Sequence, residues 1–373
     1  MAGRSLGVVL LLACTLVIQR NAQPQTHPSD PSFSEAVPSI SSFLQEQVSE
    51  GDLRGSVLVA VHGKILFEKG YSFADEEWGI QNTPTTRFRI ASLTKQFTAA
   101  CVLLLQERHL LSVNDPVSKY IQDLPAAWQP ITLHELLTHT SGIPNYAEMQ
   151  EVEKTLNRTG ASPRQLVDLA ASRPLEFKPG TQLKYTNTGY VLLGLVIEKV
   201  SGLAYGDFLT RNIFHPLGMK DSGYDDPSII LPRRASGYMR HDGKITNADY
   251  IDMSIPYAAG SIYSTVEDML RWSEALAHGQ LLSKSSSDAM FALYPEASLQ
   301  GQHYGYGVVL ARRFGKDLQY HGGGVKGFES VIQRYPKEDV CIVVLENLDP
   351  TAPWDLGDKI ASLLFRVPVA SSH

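Results

Sequence analysis

The chain has 373 residues, 33 of them basic and 39 acidic, for a formal net charge of -6 at pH 7. Apolar residues make up 43% and charged residues 19%, an ordinary balance for a soluble chain long enough to bury a sizeable core. No Lys/Arg cluster is placed to track a phosphate backbone, so nucleic acid is not an expected partner.

Arg4 followed by the apolar run at residues 6–18 reads as an export leader, taken as residues 1–22. About thirteen apolar residues are too few to span a bilayer, so no stable membrane span is expected after processing. Cys14 follows a Leu-Leu-Ala sequence, but the apolar run continues past it, which makes a lipid anchor the less favoured reading. Residues 23–36, rich in Pro, Ser and Gln, read as a tether to a domain at 37–367, with 368–373 as a tail. Cys101 and Cys341 lie in apolar runs without metal or redox spacing and are expected as buried thiols.

A helix is predicted over 37–48, then a hairpin from apolar runs at 56–61 and 65–69 around His62-Gly63-Lys64. Helical spacing follows at 93–111, 131–138, 163–172, 189–200 and 205–213, and Ser264-Thr265-Val266-Glu267 reads as a capping box for a helix ending at Ala277. Runs at 329–335 and 340–346 flank Pro336-Lys337-Glu338-Asp339 as a second hairpin, and 355–365 closes the chain as a helix. Strands at both ends with helices between them predict an α/β fold of α+β type. One antiparallel sheet is built from both chain ends and flanked by helices, and a mainly helical subdomain is inserted at approximately 106–250.

Ser92-Leu93-Thr94-Lys95 opens the predicted helix at 93–111. Residues i and i+3 share a helix face, so the Lys95 amine is placed to reach the Ser92 hydroxyl and activate it as a nucleophile. Two other patterns lead elsewhere. His134-Glu135 with His139 resembles a zinc-protease helix, but the second histidine falls at i+5, roughly 140° around the helix from the first. The run from Gly322 to Gly327 fits a dinucleotide pattern, yet a strand and not a helix is predicted after it. No metal or cofactor is expected.

Tyr185-Thr186-Asn187 precedes the apolar helix at 189–200, and a tyrosine and an asparagine two apart in extended chain point to the same side. The competing reading is an Asn187 helix cap beside a buried tyrosine. His321-Gly322-Gly323 follows a strand end predicted at 318–320. Ser-x-x-Lys, Tyr-x-Asn and His-x-Gly in this order form a joint pattern that chance supplies far less readily than any one part.

With these motifs the sequence resembles the serine beta-lactamase and penicillin-binding protein superfamily, in the branch of class C beta-lactamases, D-Ala-D-Ala carboxypeptidases, D-aminopeptidases and related esterases. The resemblance extends to Phe88-Arg89-Ile90-Ala91, to residues 136–144, to Phe177-Lys178-Pro179-Gly180, to residues 260–265 and to Tyr304-Gly305-Tyr306-Gly307, covering roughly residues 37–365. It implies an exported serine hydrolase forming an acyl-enzyme on Ser92, with Lys95 and Tyr185 as proton carriers and Asn187 holding Lys95 and the substrate amide. The Ser92 and Gly324 backbone N–H groups are then the oxyanion donors, beside His321 and Gly323, and Tyr146 and Tyr304 are candidate cleft residues. Many relatives carry lysine and threonine where this chain has His321 and Gly322, so a C-terminal carboxylate is the less favoured substrate feature. The expected substrate is a small ester or a D-amino-acid amide or peptide. A beta-lactam or D-Ala-D-Ala end, acyl transfer, and non-catalytic binding of cell-wall peptide with cell-wall association are the alternatives.

Overall fold

The computed structural model describes residues 31–368. The expected leader, most of the tether and the last five residues of the expected tail lie outside the described residues. The tether gives way earlier than residue 36: Pro31–Ser34 forms a helical turn, and Ala36 is buried against an apolar core.

Helix α1 (Val37–Glu50) leads into β1 (Gly55–Val61) and β2 (Lys64–Tyr71), joined by a two-residue turn in which His62 and Gly63 both have positive φ. Helix α2 (Thr94–Glu107) is shorter than the apolar spacing suggests, because His109 adopts a left-handed backbone (φ 58) just beyond it. Helices α3 (Leu133–Leu137), α4 (Asn187–Ser201) and α5 (Val266–Ala277) follow. The cap of α5 lies one residue later than the sequence pattern, with Thr265 accepting from the Asp268 N–H. The stretch predicted as one helix over 205–213 divides into an α-helical turn (Tyr205–Leu209) and a wider π-type turn (Thr210–Phe214). Thr210 and Asn212 each donate a side-chain hydrogen bond to the carbonyl four residues back, in competition with the helix ladder. The mainly helical interval 106–250 also contains short strands at Gly223–Tyr224, Tyr238–His241 and Lys244–Asn247.

The chain then returns to the sheet as β3 (Ser298–Leu299), β4 (Gln302–Tyr304), β5 (Val309–Arg313), β6 (Lys316–Val325), β7 (Phe328–Tyr335) and β8 (Val340–Glu346), and closes with helix α6 (Pro353–Phe365). The order β3-β4-β5-β6-β7-β8-β1-β2 is antiparallel throughout, so the first and last strands of this sheet in sequence meet at the β8–β1 pair. Alternation along these two strands makes two cores. Val57, Val59, Ile342 and Val344 face α1 and α6, while Leu58, Ala60, Val343 and Leu345 face the large core containing α2, α4 and α5. Among the described residues, no helix is long and apolar enough to cross a membrane.

Helix α6 is held to the sheet through residues such as Ile360, which is fully buried in the smaller core. Ile360→Ala is expected to destabilise the fold by about 2–5 kcal/mol. The expected signature is a lower urea midpoint at unchanged m-value, because the lost methylenes leave a cavity without altering the surface exposed on unfolding.

Candidate active site

Ser92 stands where the helical core meets the sheet, in a 3-10 turn (Ala91–Leu93) that feeds directly into α2. The preceding Ala91 has φ 46, a left-handed conformation that an alanine adopts only when its surroundings impose it. Those surroundings are specific. Phe88–Arg89 pairs with Ile262–Ser264, the Ile90 carbonyl accepts from Ser330 Oγ at 2.9 Å, and Thr94 Oγ1 accepts from the Ile262 N–H at 3.1 Å. Gly323 of β6 supplies the other constraint. A Cβ at that position would stand 2.6 Å from the Ile90 carbonyl oxygen and 2.8 Å from the Ser92 nitrogen, so only glycine allows the strand this close to the serine backbone.

Lys95 is fully buried, and its ammonium can donate to Ser92 Oγ at 3.1 Å, Asn187 Oδ1 at 2.8 Å and the Ala259 carbonyl at 2.8 Å. Burial holds its pKa well below the usual lysine range. A neutral amine keeps two N–H donors and one lone pair, which matches two pure acceptors plus one hydroxyl that can itself donate. This arrangement can draw the proton from Ser92 while Asn187 and Ala259 hold the nitrogen in place.

Tyr185 packs beside the same amine, with the Lys95 Nζ 4.7 Å from its ring centroid. Burial pushes the phenol pKa up, and a hydrogen bond with Ser92 offsets this only in part. Asn187 is the first residue of α4 rather than its cap; Thr186, extended at φ -145, occupies the cap position. The Asn187 side chain is thereby free to accept from Lys95, and its backbone N–H donates to Asn145 Oδ1 at 3.2 Å.

His139, which the sequence offers as a mis-spaced metal ligand and within the 136–144 run of the family resemblance, belongs to this cluster. Helix α3 ends at Leu137, and His139 takes a left-handed backbone (φ 59) that turns it away from His134, whose ring nitrogens pair with Tyr306 and Glu296. Its ring packs 4.3 Å from that of Tyr185 and 4.4 Å from that of Tyr304. His139 Nδ1 accepts from the Thr186 N–H at 3.2 Å, which assigns the proton to Nε2. Burial and the neighbouring Lys95 hold its pKa well below the usual histidine value. The signal in the sequence was a histidine displaced by one residue from a zinc spacing, which says nothing about stacking on a tyrosine 46 residues later.

In β6, His321 and Gly323 point inward while Gly322 and Gly324 are exposed. His321 Nε2 pairs with Tyr304 Oη at 2.9 Å and its Nδ1 with the Gly322 carbonyl at 2.5 Å. Burial, with the Lys95 charge second, pushes its pKa down to about 3, so the ring is neutral near pH 7. Strand β5 pairs only with residues 316–320 of β6, leaving residues 321–325 with a free edge beside Ser92. Gly324 lines the same cavity of about 210 Å³ as Ser92 and Asn187. Its walls are largely apolar, with Val152, Ile251, Ile255 and Val325 among them, and Lys326 is the one charged lining residue among those described. Tyr146 is a wall of this cavity, anchored by its hydroxyl donating to the Ile255 carbonyl at 2.5 Å. Tyr304 lies beneath, turned to His321.

A family model described as Beta-lactamase matches residues 40–364. The chain belongs to the beta-lactamase family. It is 32% identical over 328 residues to PbpX of Bacillus subtilis (strain 168), a match spanning 87% of this chain and 78% of that one. A penicillin-binding protein from Bacillus halodurans superposes with a TM-score of 0.79 at 29% identity, over 87% of this chain and 98% of its own. A D-amino acid amidase from Ochrobactrum anthropi SV3, solved with D-phenylalanine, gives 0.78 at 25% identity, over 89% and 99%. These likenesses support a mixed α/β serine hydrolase of the beta-lactamase and penicillin-binding protein type.

His139 is testable as a positioning residue. His139→Phe preserves the ring but removes the acceptor of the Thr186 N–H, and is expected to cost about 1–3 kcal/mol of stability. It should also lower kcat at nearly constant KM by disturbing Tyr185, with His139→Asn, which restores an acceptor, recovering part of the loss. Equal kcat in all three proteins would remove His139 from the site.

Proposed function

We propose that the protein is an exported serine hydrolase that forms an acyl-enzyme on Ser92 and acts on small esters or D-amino-acid amides in preference to beta-lactams. Ser92 attacks the acyl carbon while Lys95 accepts its proton, and the Ser92 and Gly324 N–H groups stabilise the developing oxyanion. Tyr185, a neutral phenol, gives its proton to the leaving group and takes up the one that Lys95 accepted from Ser92, so both groups return to their starting states. The opposite displacement of the two pKa values supports this division of roles: the buried amine is shifted toward a free base, and the buried phenol is shifted away from phenolate. Asn187 holds the amine and is placed to receive the acyl-side amide. Water then attacks the acyl-enzyme by the reverse proton path, and acyl transfer to an amine would use the same groups.

The observation that carries the substrate class is the third motif. Its histidine is neutral, buried and occupied on both nitrogens by Tyr304 and Gly322, so the ring offers a carboxylate no charge, and Lys326 at the cavity wall is already paired with Glu153 and Asp249. Steric crowding does not explain the missing hydroxyl. A Cβ at Gly322 would meet only the Ser330 carbonyl oxygen, at an ordinary 3.7 Å. The apolar cavity beside Ser92 suits an uncharged acyl group, and the D-amino acid amidase is a structural relative whose named substrate class has no C-terminal carboxylate. Export rests on the leader-like sequence at residues 6–18.

Turnover of a p-nitrophenyl ester, D-phenylalanine amide and nitrocefin by the same preparation tests the ranking. The ester or the amide should be hydrolysed with the higher kcat/KM, and efficient turnover of nitrocefin alone would overturn the proposal. Lys95→Ala should lower kcat/KM by roughly 10²–10⁴-fold. In the wild type, the neutral amine fraction grows as pH rises through the lowered lysine pKa. The kcat/KM profile should therefore climb along an acid limb lying well below 10.5 and show no alkaline fall before pH 10, since Tyr185 stays protonated there. An acid limb centred near 10 would rule out Lys95 as the base.

A further inference from the structure

The end of the sheet opposite Ser92 gathers ligand-type side chains that the proposed chemistry does not use. Ser330 of β7 is beside the Ser92 turn, and Tyr335 lies five residues on, about 17 Å further along the strand. There the β7–β8 turn carries Asp339, the β1–β2 turn carries His62, the last turn of α5 carries Glu274, and His278 caps that helix at its C-terminus. One ligand atom from each of Glu274, His278 and Asp339 falls within 4.8 Å of the others. Glu274 and His278 are i and i+4 on one helix face, with Oε2 and Nε2 3.2 Å apart. His62 Nδ1 pairs with Asp339 Oδ2 at 3.2 Å, and the His62 N–H donates to the Asp339 carbonyl at 2.8 Å, which fixes one hairpin tip against the other.

We infer that Glu274, His278 and Asp339 form a binding site for a divalent transition cation of the Zn²⁺ type, with His62 orienting the Asp339 carboxylate. One imidazole nitrogen and two carboxylates are a borderline donor set that suits zinc, whereas calcium and magnesium favour oxygen ligands alone. Three protein ligands leave a fourth position to water. The two carboxylates belong to elements 65 residues apart in sequence, and the fold brings their like charges together. A cation between them relieves that repulsion. Gly63 permits the approach: a Cβ there would stand 2.5 Å from Glu274 Oε2. Glu274 and Asp339 also line a cavity of about 200 Å³ shared with Gln319, whose buried Oε1 has no hydrogen-bond partner among the described residues. The buried Arg334 guanidinium lines the same cavity and offsets part of the negative charge, which limits affinity without occupying the ligand atoms.

Isothermal titration of tag-free, chelator-stripped full chain with zinc chloride tests this, with magnesium and calcium chloride as controls. The expected result is one saturable zinc site per chain and a higher Tm with zinc, neither seen with the controls. His278→Ala and Asp339→Asn should each abolish both effects, and His62→Ala should weaken binding by roughly 10–100-fold, as loss of an orienting partner does. His278 is exposed, so its replacement should preserve the circular dichroism spectrum and ester turnover, which separates loss of the site from loss of the fold. Absence of saturable zinc binding in the wild type, or equal binding in the His278 and Asp339 variants, would overturn the inference.

Discussion

An ammonium moved from water into a protein interior costs several kcal/mol even after relaxation. Lys95 sits fully buried with no carboxylate among its hydrogen-bond partners. What it has is a hydroxyl, an amide oxygen and a backbone carbonyl, a set that satisfies a neutral amine as completely as a charged one. Desolvation then shifts the balance between the two forms toward the free base. The ring faces of Tyr185 and Tyr190 lie 4.7 and 5.4 Å from the nitrogen and would favour the cation, but a cation–π contact is worth about 2 kcal/mol when desolvated, less than the burial penalty it opposes.

The fold supplies that environment by bringing three remote segments to one place. The start of α2 provides Ser92 and Lys95, the entry to α4 provides Tyr185 and Asn187, and the free edge of β6 provides Gly323 and Gly324. Because both ends of the chain build the sheet, β6 is held through β7 and β8 to β1. Ser330 of β7 then binds the Ile90 carbonyl, so the sheet itself holds the turn that carries the nucleophile candidate. The left-handed Ala91 is the local conformational cost of that attachment.

Much of this was legible in the sequence where local rules govern. The two hairpins at residues 55–71 and 328–346 follow from turn residues between β-branched runs, and the sheet from both chain ends follows from their positions. The strand after the glycine run at 322–327 was legible too, and it separates this run, most of which lies in β6, from a dinucleotide site. Long-range geometry was less accessible. The short strands β3 and β4 have no periodicity long enough to read, and the division of 205–214 depends on side chains that bond to nearby carbonyls. At the site, spacing linked Ser92 to Lys95 because a helix turn is a local ruler. Nothing local links His139 to Tyr185 or Tyr304 to His321, since those contacts exist only after separate elements have packed.

The two buried histidines complete the electrostatic argument. Both His139 and His321 are held neutral by burial, and the Lys95 charge is in each case the second cause. The coupling is reciprocal: a proton on either ring would lower the Lys95 pKa further, and a charged Lys95 disfavours protonation of both. Three basic groups thus compete for positive charge in a region where burial penalises all of them. Each ring has a polar contact suited to its neutral form: His139 accepts the Thr186 N–H, and His321 bridges Tyr304 and the Gly322 carbonyl. A carboxylate introduced among them would reverse the balance, raising all three pKa values and fixing the amine as an ammonium that could no longer take a proton from Ser92. Among the described residues the hydrogen-bond partners of Lys95 are Ser92, Asn187 and the Ala259 carbonyl, a set without a carboxylate that is compatible with a neutral amine beside the serine.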